Sequence, residues 1–270
     1  MGDDVKRLYL EIRGFMRNMR REHISAFAAS SAFFIFLSFI PLLMLLSAAI
    51  TYTPLTQKDL ADAMITVMPG VAKGFVNAII ADVYEKAQAL LPVAGVILLW
   101  TAGKGVLSIV QGLNAINQVE ERRGFFILRL MAMFYTVVFL AAILLGLGAL
   151  SFGNLLMNLL EEHLPAVQMI LSVFFPFRFL AFWVILTVIF TLIYAFIPNK
   201  SLKIRHQIPG ACFTAVAWSV FSFGFSIYLE YGKSFDIYGS LTILIVVMFW
   251  LYFCMYIVFV GASINRYFQL

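Results

Sequence analysis

The feature that most constrains this chain is a series of apolar segments, each long enough to cross a lipid bilayer. Hydrocarbon about 30 Å thick requires roughly 20 predominantly apolar residues per helix. Because the bilayer core offers backbone N–H and C=O groups no water, such segments must be helical. The sequence therefore predicts an all-α integral membrane protein, a six-transmembrane-helix bundle over residues 27–264. The six predicted spans cover approximately 27–52, 90–111, 128–152, 168–197, 208–230 and 240–264.

The composition argues against a soluble domain. Only 12% of the 270 residues are charged, about half the fraction typical of soluble proteins. The first 26 residues are charged and mixed, and the apolar run after them is too long for a signal-peptide core, so no removable signal peptide is expected. The net charge of +5 is explained by basic residues beside the spans, which set the orientation in the membrane and contact anionic lipid head groups. No nucleic-acid partner is therefore expected.

The distribution of lysine and arginine predicts the orientation. With the N-terminus in the cytoplasm, only Lys58, Lys73, Lys86 and Lys233 of the 19 basic residues fall in outer loops, whereas Lys104 and Arg178 lie within spans. Cytoplasmic loops are normally the basic ones. Both termini, including a short tail at 265–270, are therefore predicted to be cytoplasmic.

Two segments outside the spans carry helical patterns. Residues 1–26 are predicted to form a cytoplasmic amphipathic helix lying on the inner leaflet. Its apolar face would comprise Val5, Leu8, Ile12, Phe15 and Met19. The long outer loop, 53–89, is predicted to contain two short amphipathic helices broken at Pro69 and Gly70, which would cap the bundle.

The second span carries a stripe of polar residues that lipid cannot solvate. Spacings of three and four residues place its members on one helix face or close to it. We expect this face to line a polar cavity within the bundle, with Lys104 attracting the ligand. The alternative is that Lys104 extends along the helix to the cytoplasmic surface. The predicted cavity-lining residues of this span are Thr101, Lys104, Ser108, Gln111, Asn114 and Asn117.

Other residues are predicted to contribute to the cavity or to helix irregularity. Ser38 and Trp218 are candidates for the lining, although core packing explains them equally well. Pro41 and Pro176 interrupt helical hydrogen bonding. Gly103 and Gly105 allow another group to approach Lys104 closely. Three tryptophans well inside their spans are expected to face protein or a cavity: Trp100, Trp218 and Trp250.

Catalytic and metal-binding patterns are missing from the sequence. None of the fourteen acidic residues lies in the middle of a predicted span, and all three histidines fall outside the spans. No phosphate-binding glycine loop, paired-carboxylate site or Cys/His metal set is evident. We therefore expect no enzymatic activity and no cofactor. A ligand held by Lys104 without an acidic partner should be anionic or a strong hydrogen-bond acceptor.

Four stretches in order resemble the YihY family, which includes the virulence factor BrkB and was formerly labelled ribonuclease BN. They are AASSAFFIFLSFIPLLMLL, LLWTAGKGVLSIVQGLNAINQVEERR, IYAFIPNKSLKIRHQIPGACFTAVAW and YGSLTILIVVMFWLYFCMYIVFVGASIN. The family commonly has arginine at the position of Lys104, and lysine keeps the charge without the bidentate fork. The resemblance implies a prokaryotic inner-membrane protein, often discussed as a transporter of lipids or small solutes.

The sequence as a whole predicts a transporter or exporter of an anionic or amphipathic small molecule or lipid. The alternative is a non-transporting scaffold or envelope-organising membrane protein with a dry interior. A ribonuclease would need a metal cage or an acid–base pair, and Glu120 and Glu121 beside Arg122 and Arg123 are read instead as a helix end and a topology signal. Expected partners are membrane lipids and the anionic substrate, and a homo-oligomer is left open.

Overall fold

The computed structural model describes residues 2–50, 73–138, 141, 178–200, 202–231 and 240–267. Regular structure in these residues is entirely helical, because apolar segments of this length satisfy their backbone groups internally only as helices. The helices, in chain order, are α1 (Gly2–Arg21), α2 (Ile24–Ile50), α3 (Lys73–Asn117), α4 (Phe125–Val138), α5 (Arg178–Phe196), α6 (Ile204–Tyr231) and α7 (Ser240–Tyr267).

Four stretches of these helices are long and apolar enough to cross a membrane: Ile24–Leu46, Pro92–Asn117, Ile204–Leu229 and Leu244–Tyr267. Shorter apolar helices cover Phe125–Val138 and Phe182–Phe196. The predicted class, an all-helical membrane protein, is thereby confirmed for the described residues. The count of six spans stays a prediction, since parts of the predicted spans 128–152 and 168–197, with Pro176, lie outside the described residues.

Helix α3 differs from the sequence-based expectation. Instead of a separate short helix followed by a span from residue 90, one helix of 45 residues runs from Lys73 to Asn117 and contains Pro92. Proline removes one backbone donor, and the Ala-, Lys- and Gln-containing stretch before Pro92 favours helix strongly enough to continue through it. At 1.5 Å per residue the helix is about 68 Å long and exceeds the hydrocarbon thickness. Pro69 and Gly70 lie outside the described residues.

The core forms where α2, α3, α5, α6 and α7 meet. Small side chains allow the helices to approach closely, which is the usual basis of packing between membrane helices. At Gly112 of α3, an added Cβ would lie 2.5 Å from the ring of Phe259 on α7. The fully buried members of this core include Ala28, Ala32, Leu113, Ile116, Tyr194, Ala211, Ala215 and Phe259.

Helices α6 and α7 make their closest contact at Gly210 and Gly261. A Cβ on either glycine would collide with backbone atoms of the other. Asn265 of α7 accepts a hydrogen bond from the Gly210 amide at 2.6 Å and donates to the Gln207 carbonyl at 3.0 Å. The hydroxyl of Tyr194 on α5 donates to the Val258 carbonyl at 2.7 Å. These contacts join α5, α6 and α7 into one closely packed unit.

Helix α1 packs one end of its apolar face on this bundle. Met19 is buried, and Phe15 packs against the core, with its ring 6.0 Å from the ring of Tyr267. Arg13 and Arg17 are exposed on the same helix. Residues 1–26 thus contain a helix whose C-terminal half contacts protein, and its position on the inner leaflet stays a prediction.

Candidate functional site

Lys104 lies near the middle of the apolar stretch Pro92–Asn117, twelve residues after its start and thirteen before its end. At 1.5 Å per residue, each end is roughly 20 Å away. The side chain is half-buried, and its Nζ lies 5.1 Å from the ring centroid of Phe34 and 5.6 Å from that of Trp100. Both distances are within the range of cation–π attraction.

A second cation, Arg129 of α4, reaches the same tryptophan. Its guanidinium carbon lies 4.2 Å from the Trp100 ring centroid, and its Nη2 donates to the Trp100 carbonyl at 2.8 Å. The buried Nε of Arg129 has no hydrogen-bond partner in the part of the chain that the structure describes. One donor of the Arg129 side chain is therefore buried without a partner, which adds to the unfavourable free energy of placing this charge here.

The two glycines that flank Lys104 create this arrangement. A Cβ on Gly103 would meet Met133 at 3.7 Å and the Arg129 guanidinium at 4.0 Å, so Gly103 faces α4. A Cβ on Gly105 would lie 3.3 to 3.4 Å from atoms of Ile35, so Gly105 faces α2. Glycine on each side of the lysine thus lets α2 and α4 approach α3 at the same level.

We call Phe34, Trp100, Lys104 and Arg129 the cation–tryptophan site. Among the described residues, neither Lys104 nor Arg129 forms a salt bridge with a carboxylate. Trp100 is 54% exposed, so the expectation that it faces protein or a cavity is wrong. Its position on α3 turns the indole outward, where the two cations partly cover it. The site is an open, positively charged surface bearing an aromatic ring.

The other members of the predicted stripe do not converge on this site. Thr101 donates to the carbonyl of Ile97 in its own helix at 2.8 Å, and Gln111 is exposed. Ser108 is buried and shares a 2.7 Å hydrogen bond with Ser30 of α2. The stripe therefore divides between the surface and a helix–helix contact.

Asn114 belongs to a second polar cluster, which we call the latch and which comprises Asn114, Glu121, Arg123 and Asn199. Asn114 donates to Glu121 at 2.7 Å and accepts from the backbone amide of Asn199 at 2.8 Å. Arg123 donates to both Glu121 oxygens, at 2.7 and 2.6 Å. These hydrogen bonds hold the pKa of Glu121 below its ordinary value. The latch connects the end of α3 to the segment after α5.

The remaining predicted residues occupy separate places. Asn117 donates to the carbonyl of Leu113 at 2.8 Å within α3. Ser38 is buried and donates to the carbonyl of Ile35, and Pro41 is buried within α2. Trp218 packs against Phe190, with ring centroids 5.3 Å apart. Pro176 lies outside the described residues.

Sequence reasoning missed Arg129 as a site residue. The distribution of basic residues assigns it to the cytoplasmic side with Arg122 and Arg123, although it falls at the start of the predicted span 128–152. The available signal is its position in FFILRLMAMFY, where apolar residues flank it on both sides. An arginine inside such a run is a functional candidate on the same grounds as Lys104.

Comparison with known proteins identifies similar chains. The profile of the family described as Virulence factor BrkB matches residues 15–270. YfkH of Bacillus subtilis, whose name describes it as ribonuclease-like, is 31% identical over 240 residues, covering 88% of this chain and 87% of YfkH. A UPF0761 membrane protein of Haemophilus influenzae is 25% identical, covering 93% of this chain and 91% of that protein.

Coverage differs among the relatives. A UPF0761 membrane protein of Pelodictyon phaeoclathratiforme is 27% identical over 92% of this chain, yet the match spans only 58% of that relative's length. No solved structure matches the chain.

Proposed function

The chain belongs to the virulence factor BrkB family, and from this premise we propose that it is a membrane transporter or exporter of an anionic or amphipathic molecule. The proposal places the cation–tryptophan site on the path of that molecule. The observation that carries it is the convergence of Lys104 and Arg129 on the exposed ring of Trp100, with no carboxylate paired to either cation among the described residues.

The energetics favour an anionic ligand. Insertion scales assign a lysine or arginine at the centre of a membrane helix about 2.5 to 3.5 kcal/mol of unfavourable free energy. A cation–π contact recovers about 0.5 to 2 kcal/mol. Two cations over one indole are therefore incompletely compensated. An anion between them would supply the missing opposite charge, which is why the pair supports binding rather than packing alone.

An anionic lipid fits the site better than a purely polar solute. Trp100 and its neighbour Ile97 are exposed on the outer surface of α3, which offers contact to an acyl chain. The guanidinium of Arg129 and the ammonium of Lys104, which meet at Trp100, supply the positive charge that attracts a phosphate group. A phospholipid is accordingly the first substrate class to test.

A non-transporting scaffold is the second candidate. It is favoured by the close contact of Gly210 with Gly261, which leaves no space between α6 and α7 at that level. The two functions differ in one outcome, because a scaffold moves no lipid or solute across the membrane.

We further propose that the chain is not an enzyme and, in particular, lacks the ribonuclease activity suggested by the name of YfkH. The proposal is supported by Glu121, whose two carboxylate oxygens are engaged by Arg123 and Asn114. A general base must be within reach of the proton that it abstracts, and this carboxylate is occupied by its neighbours.

We propose that the protein resides in the prokaryotic cytoplasmic membrane with both termini inside. Its relatives include bacterial proteins named as membrane proteins. The excess of lysine and arginine in the segments assigned to the inside supports this orientation.

The transport proposal is tested with purified protein in proteoliposomes. Movement of labelled phosphatidylglycerol between leaflets is measured for the wild type, Lys104→Gln, Arg129→Gln and the control Lys203→Gln. Lys203 is exposed between α5 and α6, so its replacement removes one charge outside the site. Movement lost in the first two variants and kept in the control supports the proposal. Absence of movement in the wild type overturns lipid as the substrate, and equal movement in all four proteins overturns the role of the site.

A further inference from the structure

A groove of about 410 Å³ lies between α1, α2 and α7, apart from the cation–tryptophan site. We call it the α1–α7 groove. Helices α1 and α2 form one part of the wall and the middle of α7 forms the other. The lining residues are Met16, Met19, Arg20, Ile24, Ser25, Tyr252, Phe253 and Tyr256.

The wall formed by α7 is aromatic. The rings of Tyr252 and Phe253 meet edge to face with centroids 5.3 Å apart, and those of Tyr252 and Tyr256 lie 6.1 Å apart. Met16 and Met19 line the opposite side, and methionine adapts its shape to irregular apolar ligands. The depth of the groove is therefore suited to a flexible hydrocarbon chain.

The end formed by α1 is positively charged. Arg20 is exposed, and its guanidinium has no carboxylate partner among the residues that the structure describes. Arg13, Arg17 and Arg21 are exposed on the same helix. Glu22, the nearest acidic residue in sequence, lines a different depression together with Arg266. No acidic residue thus opposes the charged end of the groove among the described residues that line it.

We propose that the α1–α7 groove binds one acyl chain of an anionic phospholipid, with the lipid phosphate at Arg20. Charge complementarity places the headgroup at Arg20, because Arg20 is the one charged residue among the described residues that line the groove. The methionine and aromatic side chains of the walls indicate that the acyl chain of the lipid occupies the apolar part of the groove. A small anion would leave these walls unused, and a zwitterionic lipid would gain less from the basic residues of α1. The bound lipid would hold α1 on the bundle, since α1 contributes three of the lining residues.

The site does not depend on the proposed transport function. It uses α1, α2 and α7, whereas the cation–tryptophan site uses α2, α3 and α4. A lipid held in the α1–α7 groove would remain after Lys104 is replaced, so failure of the one proposal is distinguishable from failure of the other.

The test measures retained lipid on the purified full-length chain in detergent by native mass spectrometry. Phosphatidylglycerol or phosphatidylcholine is added to the wild type, Arg20→Gln, Ser25→Trp and the control Arg21→Gln. Arg21 is exposed next to Arg20 but does not line the groove. Ser25→Trp places a large ring in the groove from an exposed position.

We expect the wild type and Arg21→Gln to retain one phosphatidylglycerol more tightly than phosphatidylcholine. Arg20→Gln should weaken this binding by about tenfold or more, as expected for the loss of one charge-assisted contact. Ser25→Trp should abolish it while thermal unfolding stays near that of the wild type. Equal losses in Arg20→Gln and Arg21→Gln, or full retention in a folded Ser25→Trp, would overturn the proposal.

Discussion

The guanidinium of Arg129 packs on the ring of Trp100 and donates a hydrogen bond to the carbonyl of the same residue. This double contact ties α4 to α3 at a level where Gly103 leaves the space for it. It also brings a second positive charge to the helix turn that carries Lys104. Trp100 is consequently both a helix–helix contact and the aromatic surface shared by two cations.

Replacing Trp100 should destabilise the contact between α3 and α4. Trp100→Leu removes two cation–π contacts, each worth about 0.5 to 2 kcal/mol, so we expect a loss of about 1 to 4 kcal/mol in the free energy of unfolding. Trp100→Phe should lose less, because an aromatic face remains. Unfolding in bicelles measures the change. Trp183→Leu is the control, since Trp183 is exposed in α5 and no described cation stacks on its ring; equal losses at both positions would contradict the expectation.

Replacing Lys104 by leucine should separate stability from function. The charge is unfavourable in the middle of a span, and its two aromatic contacts compensate only part of that free energy. Lys104→Leu should therefore be at least as stable as the wild type in thermal unfolding, while transport falls to the background. A variant destabilised by more than about 2 kcal/mol, well beyond the effect of one cation–π contact, would indicate that Lys104 serves chiefly in packing.

The glycines at the α6–α7 contact should tolerate no side chain. Gly210→Ala and Gly261→Ala force the helices apart, because the added methyl group meets the backbone oxygen of the opposite glycine and buried side chains that are held by hydrogen bonds. We expect each to lower the free energy of unfolding by about 1 to 3 kcal/mol or more. Gly224→Ala in α6 is the matched control: nothing lies within 4 Å of its Cβ position, and alanine favours helix. Similar unfolding temperatures for all three variants would refute this packing.

The latch should contribute to stability in a pH-dependent way. The pKa of Glu121 is below its ordinary value of 4.5 in the folded chain, chiefly because of the hydrogen bond from Arg123. The stabilisation is therefore fully present above pH 4.5 and is lost as the pH falls through the lower pKa of the folded state. The difference in stability between the wild type and Glu121→Gln should shrink over this acidic range. A difference independent of pH would exclude ionised Glu121 as the source.

Asn114→Ala tests the other half of the latch. The variant leaves the amide of Asn199 and the carboxylate of Glu121 each without one partner, and we expect a loss of about 1 to 3 kcal/mol. Asn117→Ala is the control, because the described hydrogen bond of the Asn117 side chain goes to a carbonyl of its own helix. An equal effect of the two substitutions on unfolding would show that the latch adds nothing beyond local helix contacts.

The periodicity and hydropathy of the chain were sufficient to predict a helical membrane protein, since lipid imposes one solution on each long apolar segment. They were not sufficient to locate the N-terminus of α3. Proline at 92 resembles a boundary in sequence, yet one missing donor does not end a helix that is well formed on both sides.

The site was predictable in part. A lysine between two glycines in an apolar segment identifies a position where something approaches closely, and the structure shows that these are α2 on one side and α4 on the other. A helical periodicity gives the direction of each side chain but not its neighbour. For that reason the sequence could not show that Ser108 meets Ser30, that Asn114 joins the latch, or that Arg129 shares Trp100.

The most direct test of the account is whether Trp100 contacts anionic lipid selectively. Fluorescence quenching by brominated phosphatidylglycerol and by brominated phosphatidylcholine is measured for the wild type and Trp100→Phe. For each lipid, the difference between the two proteins gives the quenching of Trp100. We predict stronger quenching by phosphatidylglycerol, with the preference lost in Lys104→Gln and in Arg129→Gln. Equal quenching by the two lipids in the wild type, or a preference that survives both substitutions, would contradict anion recognition by the cation–tryptophan site.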